Sequence, residues 1–447
     1  MNIETEGDDG GAKMLPSPNE VLNQSKMTMG QWLVVIICIL AMALDGYDVM
    51  SIALAASELK AEWDLSKAQL GLILPLEFLG MAIGAIFMGR LSDTVGRRFI
   101  MLVCLLIITG GMLVSGMAQS MGVMGGSRVF TGLGIGGLLA SATAMSSEYS
   151  NDKNRSLCVT LIAGGYTFGV FIASKLSGVL LEVGSWRDIF KFGALMSVVF
   201  VPIVFFFVPE SISLLEQKKS DKANDQIDKT LKRFGHTKEY KVTTEFAVGE
   251  IIKPSQLFKG SVGKITTLMI FFYCSQIATY YFFIKWVPPE VVDLGYTKLQ
   301  GTEILATISL TGLLGSFAIA FLTKIFPLKN LMIISLIGAG ISVVAFPFST
   351  GSMETMHIVA GIAGFWFYGV ISGGFGMFAL AFPPRVLASG SGLVLGTGRG
   401  GAMIGPWLAG VLFTAGMTIF TVFPLMAIGS FVAVIALILL PKNVEHG

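Results

Sequence analysis

Apolar runs of about 20 residues, the length that crosses a bilayer as a helix, recur along most of the chain. They fall at approximately 32–56, 67–89, 99–118, 123–145, 157–181, 188–208, 264–286, 301–322, 331–349, 356–380, 389–414 and 418–440. Most polar stretches between them are short. The exceptions are residues 1–30, which read as a disordered, mostly polar tail, and residues 209–262, rich in Lys, Asp and Gln. The pattern predicts an all-α polytopic membrane protein with about twelve transmembrane helices in two six-helix bundles. The N-terminal bundle is expected over 31–208 and the C-terminal bundle over 263–440, with a central loop at 209–262 and a last tail at 441–447. Leu214 to Phe234 has the pattern of an amphipathic surface helix, but a solvated linker is the simpler expectation.

Composition agrees. The chain is 53% hydrophobic and 13% charged, whereas a soluble domain carries about 25% charged residues. A net charge of +2 gives no ground for a nucleic-acid partner. Cys38, Cys104, Cys158 and Cys274 lie in or beside apolar segments and show neither metal spacing nor a disulfide framework. No short apolar stretch ending in small residues precedes the first span, so no cleavable leader is expected.

Charge sets an expected orientation, because Lys and Arg collect on the cytoplasmic side. With both termini inside, that side holds the tail, Arg90, Arg97, Arg98, Lys153, Arg155, the central loop, Lys324, Lys329, Arg385 and Lys442. The outside holds Lys60, Lys67, Arg187, Lys191, Lys285 and Lys298. Arg128, Lys175 and Arg399 remain within the membrane.

Candidate chemistry lies in those spans. Leu44-Asp45-Gly46-Tyr47-Asp48 puts two carboxylates three residues apart on one face of the first span, deep in hydrocarbon. Intramembrane carboxylates are costly and by default face a polar path for substrate or protons; capping of a helix broken at Gly46 is the alternative. Glu77 lies mid-depth in the second span, Arg128 in the outer third of the fourth and Lys175 in the outer half of the fifth. Arg399 is the one arginine deep in the C-terminal half, with no acid in its own span, and its planar fork suits a carboxylate. Tyr47, Tyr166, Tyr280 and Trp366 offer rings, and Gln276 a polar contact, for a cavity.

The loop after the second span reads Gly89-Arg90-Leu91-Ser92-Asp93-Thr94-Val95-Gly96-Arg97-Arg98, with Glu148 closing the fourth span, Arg155 seven residues on, and Pro209-Glu210-Ser211 closing the sixth. These stretches resemble the signatures of the major facilitator superfamily. The expected second copy of the loop is degenerate, Ala320-Phe321-Leu322-Thr323-Lys324, with lysine where aspartate is usual. Together with Asp45-Gly46-Tyr47-Asp48, Ser185-Trp186-Arg187, Gly398-Arg399-Gly400 and Gly405-Pro406, the chain resembles the aromatic acid:proton symporter family of hydroxybenzoate, benzoate and muconate transporters.

That resemblance implies proton-driven import of an aromatic carboxylate through the inner membrane by alternating access between two bundles. It implies no cofactor beyond the proton gradient, and the expected form is a functional monomer. Asp45 and Asp48 match the family's coupling acids. Arg128 and Glu77 are expected to tune them, and the residues Gly89, Asp93, Gly96, Arg97, Arg98, Glu148 and Arg155 to gate. Glu77 and Lys175 depart from the family pattern. They pair with each other, or Lys175 snorkels outward, or they contact a second substrate carboxylate such as that of a ring-cleavage diacid. A drug or metabolite exporter is the alternative, and Gly164 to Val170 lacks the Gly-Pro step expected of one. A membrane enzyme or receptor has no supporting constellation.

Overall fold

A computed structural model of the chain describes residues 15–218, 220–236, 240, 254–383 and 386–441. Arg385, Lys442 and the tail beyond it lie outside the described residues. The described helices are α1 (Pro18–Gln24), α2 (Met29–Trp63), α3 (Lys67–Ile73), α4 (Leu76–Thr94), α5 (Arg97–Gly116), α6 (Met121–Glu148), α7 (Arg155–Val183) and α8 (Trp186–Phe207). They continue with α9 (Ile212–Lys218), α10 (Asp221–Arg233), α11 (Gly260–Asp293), α12 (Lys298–Leu322), α13 (Leu328–Ala345), α14 (Met353–Ala381), α15 (Leu387–Thr414) and α16 (Ile419–Ile438). Eleven segments among the described residues are long and apolar enough to cross a membrane. Helix α15 is of similar length, but its eight glycines and Arg399 dilute its apolar character. Two bundles of six spans result, α2–α8, in which α3 and α4 make one span, and α11–α16.

Several spans outrun their apolar stretches. The 35 residues of α2 extend about 52 Å at 1.5 Å per residue, well beyond a hydrocarbon core of about 30 Å. It stops at Asp64, whose left-handed φ of 48° turns its N–H back to the Lys60 carbonyl. The second span divides at Leu74-Pro75 into α3 and α4, since Pro75 has no N–H for the ladder. Helix α11 runs through Pro288 and Pro289 to Asp293.

Glycines on facing helices let backbones meet. A Cβ on Gly80 would lie 1.9 Å from the Val129 carbonyl oxygen, and one on Gly132 would lie 2.1 Å from that of Glu77, so α4 and α6 pack backbone to backbone. Gly46 meets the Tyr166 carbonyl in the same way, which closes α2 on α7.

The end carrying α1, α9 and α10 is called the loop face here, and the opposite end the far face. Part of the supposed free tail is structured. Asn19 of α1 donates to Glu216 at 2.6 Å, Arg155 to Asn23 at 2.6 Å, and Asn151 to the Ser25 carbonyl at 2.9 Å. Burial pushes the Glu216 carboxyl up to about 7. The central segment forms α9 and α10 among its described residues, and Phe234 after α10 packs edge-on against Tyr149, so this part is not a plain linker.

The bundles join unevenly. At the far face Lys60 pairs with Asp293 at 2.7 Å, Lys67 with Glu290 at 2.5 Å and Asp293 at 3.1 Å, and Lys298 with Glu58. There α3 packs on α15 and α7 on α12. Among the described residues no ion pair joins the bundles at the loop face, and Gly392, Gly396 and Gly400, one face of α15, look onto open space. The far face is therefore closed, held by ion pairs that the loop face lacks among the described residues.

Candidate functional site

Four charged side chains meet where α2, α4, α6 and α11 cross. Arg128 donates to Asp48 at 2.9 Å and lies 3.7 Å from Glu77. Its second amino group donates to Ser115 at 3.0 Å and to Thr131 at 3.1 Å, and its guanidinium stacks 5.0 Å from the Phe190 ring centroid. Lys285 of α11 crosses from the other bundle, donating to Glu77 at 2.6 Å and to the Val49 carbonyl. Arg128, Asp48, Glu77 and Lys285 are all 0% exposed. Two anions and two cations balance, which is the condition under which a buried cluster is tolerable.

Sequence reasoning missed Lys285. It was placed in an outer loop because the apolar run ends beside it, but α11 continues for eight residues and buries it. Ser115 and Thr131, which hold Arg128, were also missed; a polar residue one turn from Arg128 was the available signal.

Asp45 is buried, with one carboxyl oxygen lacking a hydrogen-bond partner among the described residues. Across the bundle boundary Arg399 is half-buried and lies within electrostatic reach of Asp45, Tyr273 and Tyr281. It donates to the Met81 sulfur at 3.7 Å, and no carboxylate among the described residues comes within ion-pair distance. Tyr166 brings its hydroxyl to 3.5 Å from that of Tyr281, whose ring lies 4.4 Å from Phe78. Rings from both bundles thus lie beside Asp45 and Arg399. Tyr280 packs behind Tyr281, against Phe367 and Tyr368.

Four residues expected at a substrate lie elsewhere. Tyr47 turns to α8, donating to the Ile189 carbonyl at 2.8 Å, because the neighbouring face of α2 is taken by the acids. Lys175 neither meets Glu77 nor enters the cavity: it is 51% exposed and lies 3.4 Å from Glu303 toward the far face, as snorkelling allows. Gln276 accepts from Ser430 at 2.9 Å in the seam between α11 and α16. Trp366 lies over Gly338 on α13, at the back of its bundle.

The residues expected to gate form a cluster at the loop face. Arg97 pairs with Glu148 at 2.5 Å, and Glu148 also accepts from the Ser211 hydroxyl and the Ser213 N–H. Gly96 has φ +148° and would place a Cβ against Glu210, which accepts from the Arg98 and Ser211 N–H groups. Asp93 is 67% exposed and only 3.5 Å from Arg97. Arg155 pairs with Asp152, not Glu148. Gly89 approaches Ala140 of α6. A cavity of about 500 Å³ at this face, beside Arg98, Lys218 and Arg233, is remote from the buried charges.

Residues 37–326 match the family model described as Major Facilitator Superfamily. The chain belongs to that superfamily. It is a multi-pass membrane transporter and not an enzyme. It is similar to a 4-hydroxybenzoate transporter, PcaK, of Pseudomonas putida, 27% identical over 88% of this chain and 89% of that one. It is also similar to a benzoate transport protein of Acinetobacter baylyi, 26% identical over 94% and 92%. The crystal structure of a D-xylose-proton symporter shares the fold with a TM-score of 0.72 at 16% identity, covering 92% of this chain and 97% of that chain.

Proposed function

We propose that this superfamily member imports an aromatic carboxylate, or a related ring-cleavage acid, together with protons. The observation that carries the reading is Arg399. It is a half-buried guanidinium with no carboxylate partner among the described residues, set among aromatic rings and facing Asp45 across the bundle boundary. An intramembrane cation without an anion is a natural site for a substrate carboxylate. Relatives named for transport of 4-hydroxybenzoate, benzoate and gallate agree in substrate class. The excess of basic residues at the loop face supports an inner-membrane orientation with both termini in the cytoplasm.

In this reading Asp45, Asp48 and Glu77 are the acids available for coupling, with Arg128 holding Asp48. The Gly89–Arg98 loop with Glu148 sets the loop-face gate. Arg399 takes the carboxylate, and Tyr166 and Tyr281 contact the ring. The protein works as a monomer. The test is uptake of labelled 4-hydroxybenzoate, benzoate and muconate into cells, with and without a protonophore. Accumulation is expected to vanish with the protonophore. It is also expected to vanish in Asp45→Asn and in Asp48→Asn while each variant still reaches the membrane. Full accumulation in both variants removes the acids from coupling, and efflux of substrate in place of uptake favours the exporter.

A further inference from the structure

Lys285 and Glu77 differ from every other pair in the buried cluster, because their partnership spans the two bundles. Asp48, Glu77 and Arg128 all ride on the N-terminal bundle, on α2, α4 and α6. Lys285 rides on α11 of the other. The remaining ion pairs between bundles, from Lys60, Lys67, Lys175 and Lys298, involve side chains with access to water. Glu290, 4% exposed beneath Lys67, regains water only as the far face opens, and the other pairs can separate into solvent at small cost. The Lys285–Glu77 pair cannot, since both groups are 0% exposed and breaking such a pair leaves two uncompensated charges.

Opening the far face must pull α11 away from α2 and α4, and so must pull Lys285 from Glu77 and from the Val49 carbonyl. We propose that Lys285 and Glu77 are an exchangeable pair: as the far face opens, a proton replaces Lys285 on Glu77, and the substrate carboxylate replaces Glu77 on Lys285. The proposal rests on the carboxylate-import reading and adds the coupling device to it. The charge count closes. Before exchange Asp48 and Glu77 balance Arg128 and Lys285. After it, Glu77 is a neutral acid, Asp48 still balances Arg128, and the substrate balances Lys285. One carboxylate therefore brings in one proton at this pair, taken from far-side water.

The surroundings of Glu77 support this division of labour. It faces Arg128 from α6, Lys285 from α11, and Asp48 and Asp45 from α2, with Arg399 of α15 beyond Asp45. Arg128 at 3.7 Å is a standby partner that would keep Glu77 ionised, but Asp48 holds it at 2.9 Å. Asp48 is thus a positioning residue: it keeps Arg128 from taking Lys285's place. Arg399 receives the carboxylate in the loop-open form, where Lys285 is occupied, so the substrate has a cation at each stage.

Two measurements test the exchange in the full chain. The first needs no change at the site. Spin labels at Val183 and Leu294, on opposite bundles at the far face, report its separation in reconstituted protein. The long distance is expected to predominate only at pH 5 with 4-hydroxybenzoate present, and to be a minor population of the empty chain, which samples it to take up far-side substrate. A predominant long distance at pH 8 without substrate overturns the proposal.

The second counts protons per substrate from the pH gradient that just balances a substrate gradient in voltage-clamped vesicles. Glu77→Gln/Lys285→Gln, which removes both charges together, is expected to carry one proton fewer per substrate than the unsubstituted chain. Lys285→Arg is expected to keep the original ratio. An unchanged ratio in the double variant overturns the proposal while leaving carboxylate import intact. Failure of the unsubstituted chain to transport any acid of the panel overturns both together.

Discussion

Arg399 and Lys285 are both cations at the bundle boundary, yet their surroundings assign them different tasks. Lys285 is already paired, with a carboxylate and a carbonyl as partners. Arg399 donates to a thioether at 3.7 Å and has no carboxylate partner among the described residues. A guanidinium binds a carboxylate through two parallel N–H donors, which an ammonium cannot copy. Arg399→Lys is therefore expected to weaken binding of benzoate strongly while leaving weak competition by neutral benzamide unchanged. Truncation of a buried charge pair costs about 2–5 kcal/mol. At about 1.4 kcal/mol per factor of ten, Arg399→Ala is expected to lose more than tenfold in affinity. Equilibrium binding in detergent measures both, and equal benzoate affinity in Arg399→Lys refutes the direct pair. Arg399 was legible in the sequence because it stands alone in a glycine-rich apolar span. Lys285 was not, because hydropathy locates the edge of an apolar run, not the end of its helix. Nor does a sequence say which way a side chain turns: Tyr47 sits between two buried acids and still faces α8.

At the scale of elements, the site depends on how closely α4 and α6 approach. Gly80 and Gly84 on α4, and Gly132 and Gly136 on α6, place each backbone against the other. That contact carries Glu77 to within 3.7 Å of Arg128. The spans themselves were readable, since apolar runs of bilayer length dictate helices. The seam was only half readable: Gly132 and Gly136 have the spacing of a close-packing stripe, but nothing in the chain names the partner helix. The folding of α1 and α9–α10 onto the loop face was unreadable, because it rests on contacts far apart in sequence such as Asn19 with Glu216. Gly132→Ala is expected to force the seam apart, since the new Cβ would lie 2.1 Å from the Glu77 carbonyl oxygen and 3.0 Å from the Met81 nitrogen. Overpacking of this kind costs about 1–3 kcal/mol. Gly126→Ala on the same helix meets nothing within 4 Å and serves as the control. The thermal midpoint in detergent is expected to fall for Gly132→Ala and to hold or rise for Gly126→Ala; equal midpoints contradict the seam.

Over the whole molecule, the far face is held by unequal contacts. Lys60–Asp293 and Lys175–Glu303 are each at least 29% exposed on both sides, and exposed pairs contribute about 0–1 kcal/mol. Glu290 is different. Its side chain is 4% exposed and Lys67 reaches it at 2.5 Å, with the ammonium also 4.4 Å from the Phe413 ring centroid. Removing Lys67 leaves a carboxylate with little access to water in the closed form, and separation of the bundles is what restores its hydration. Breaking a buried pair in this way costs about 3–5 kcal/mol at the upper end. Lys67→Ala is therefore expected to destabilise the closed form, whereas Lys60→Ala changes little. The interior Lys285–Glu77 pair still resists opening, so the effect is expected in the response to substrate. With labels at Val183 and Leu294 at pH 5, Lys67→Ala should populate the long distance at lower 4-hydroxybenzoate concentrations than the unsubstituted chain. Raising salt should shift the Lys67→Ala and unsubstituted proteins alike, because screening acts on exposed charges and hardly on Glu290. Identical substrate titrations for Lys67→Ala and the unsubstituted chain would mean that helix packing of α3 on α15 and α7 on α12, and not this ion pair, holds the far face closed.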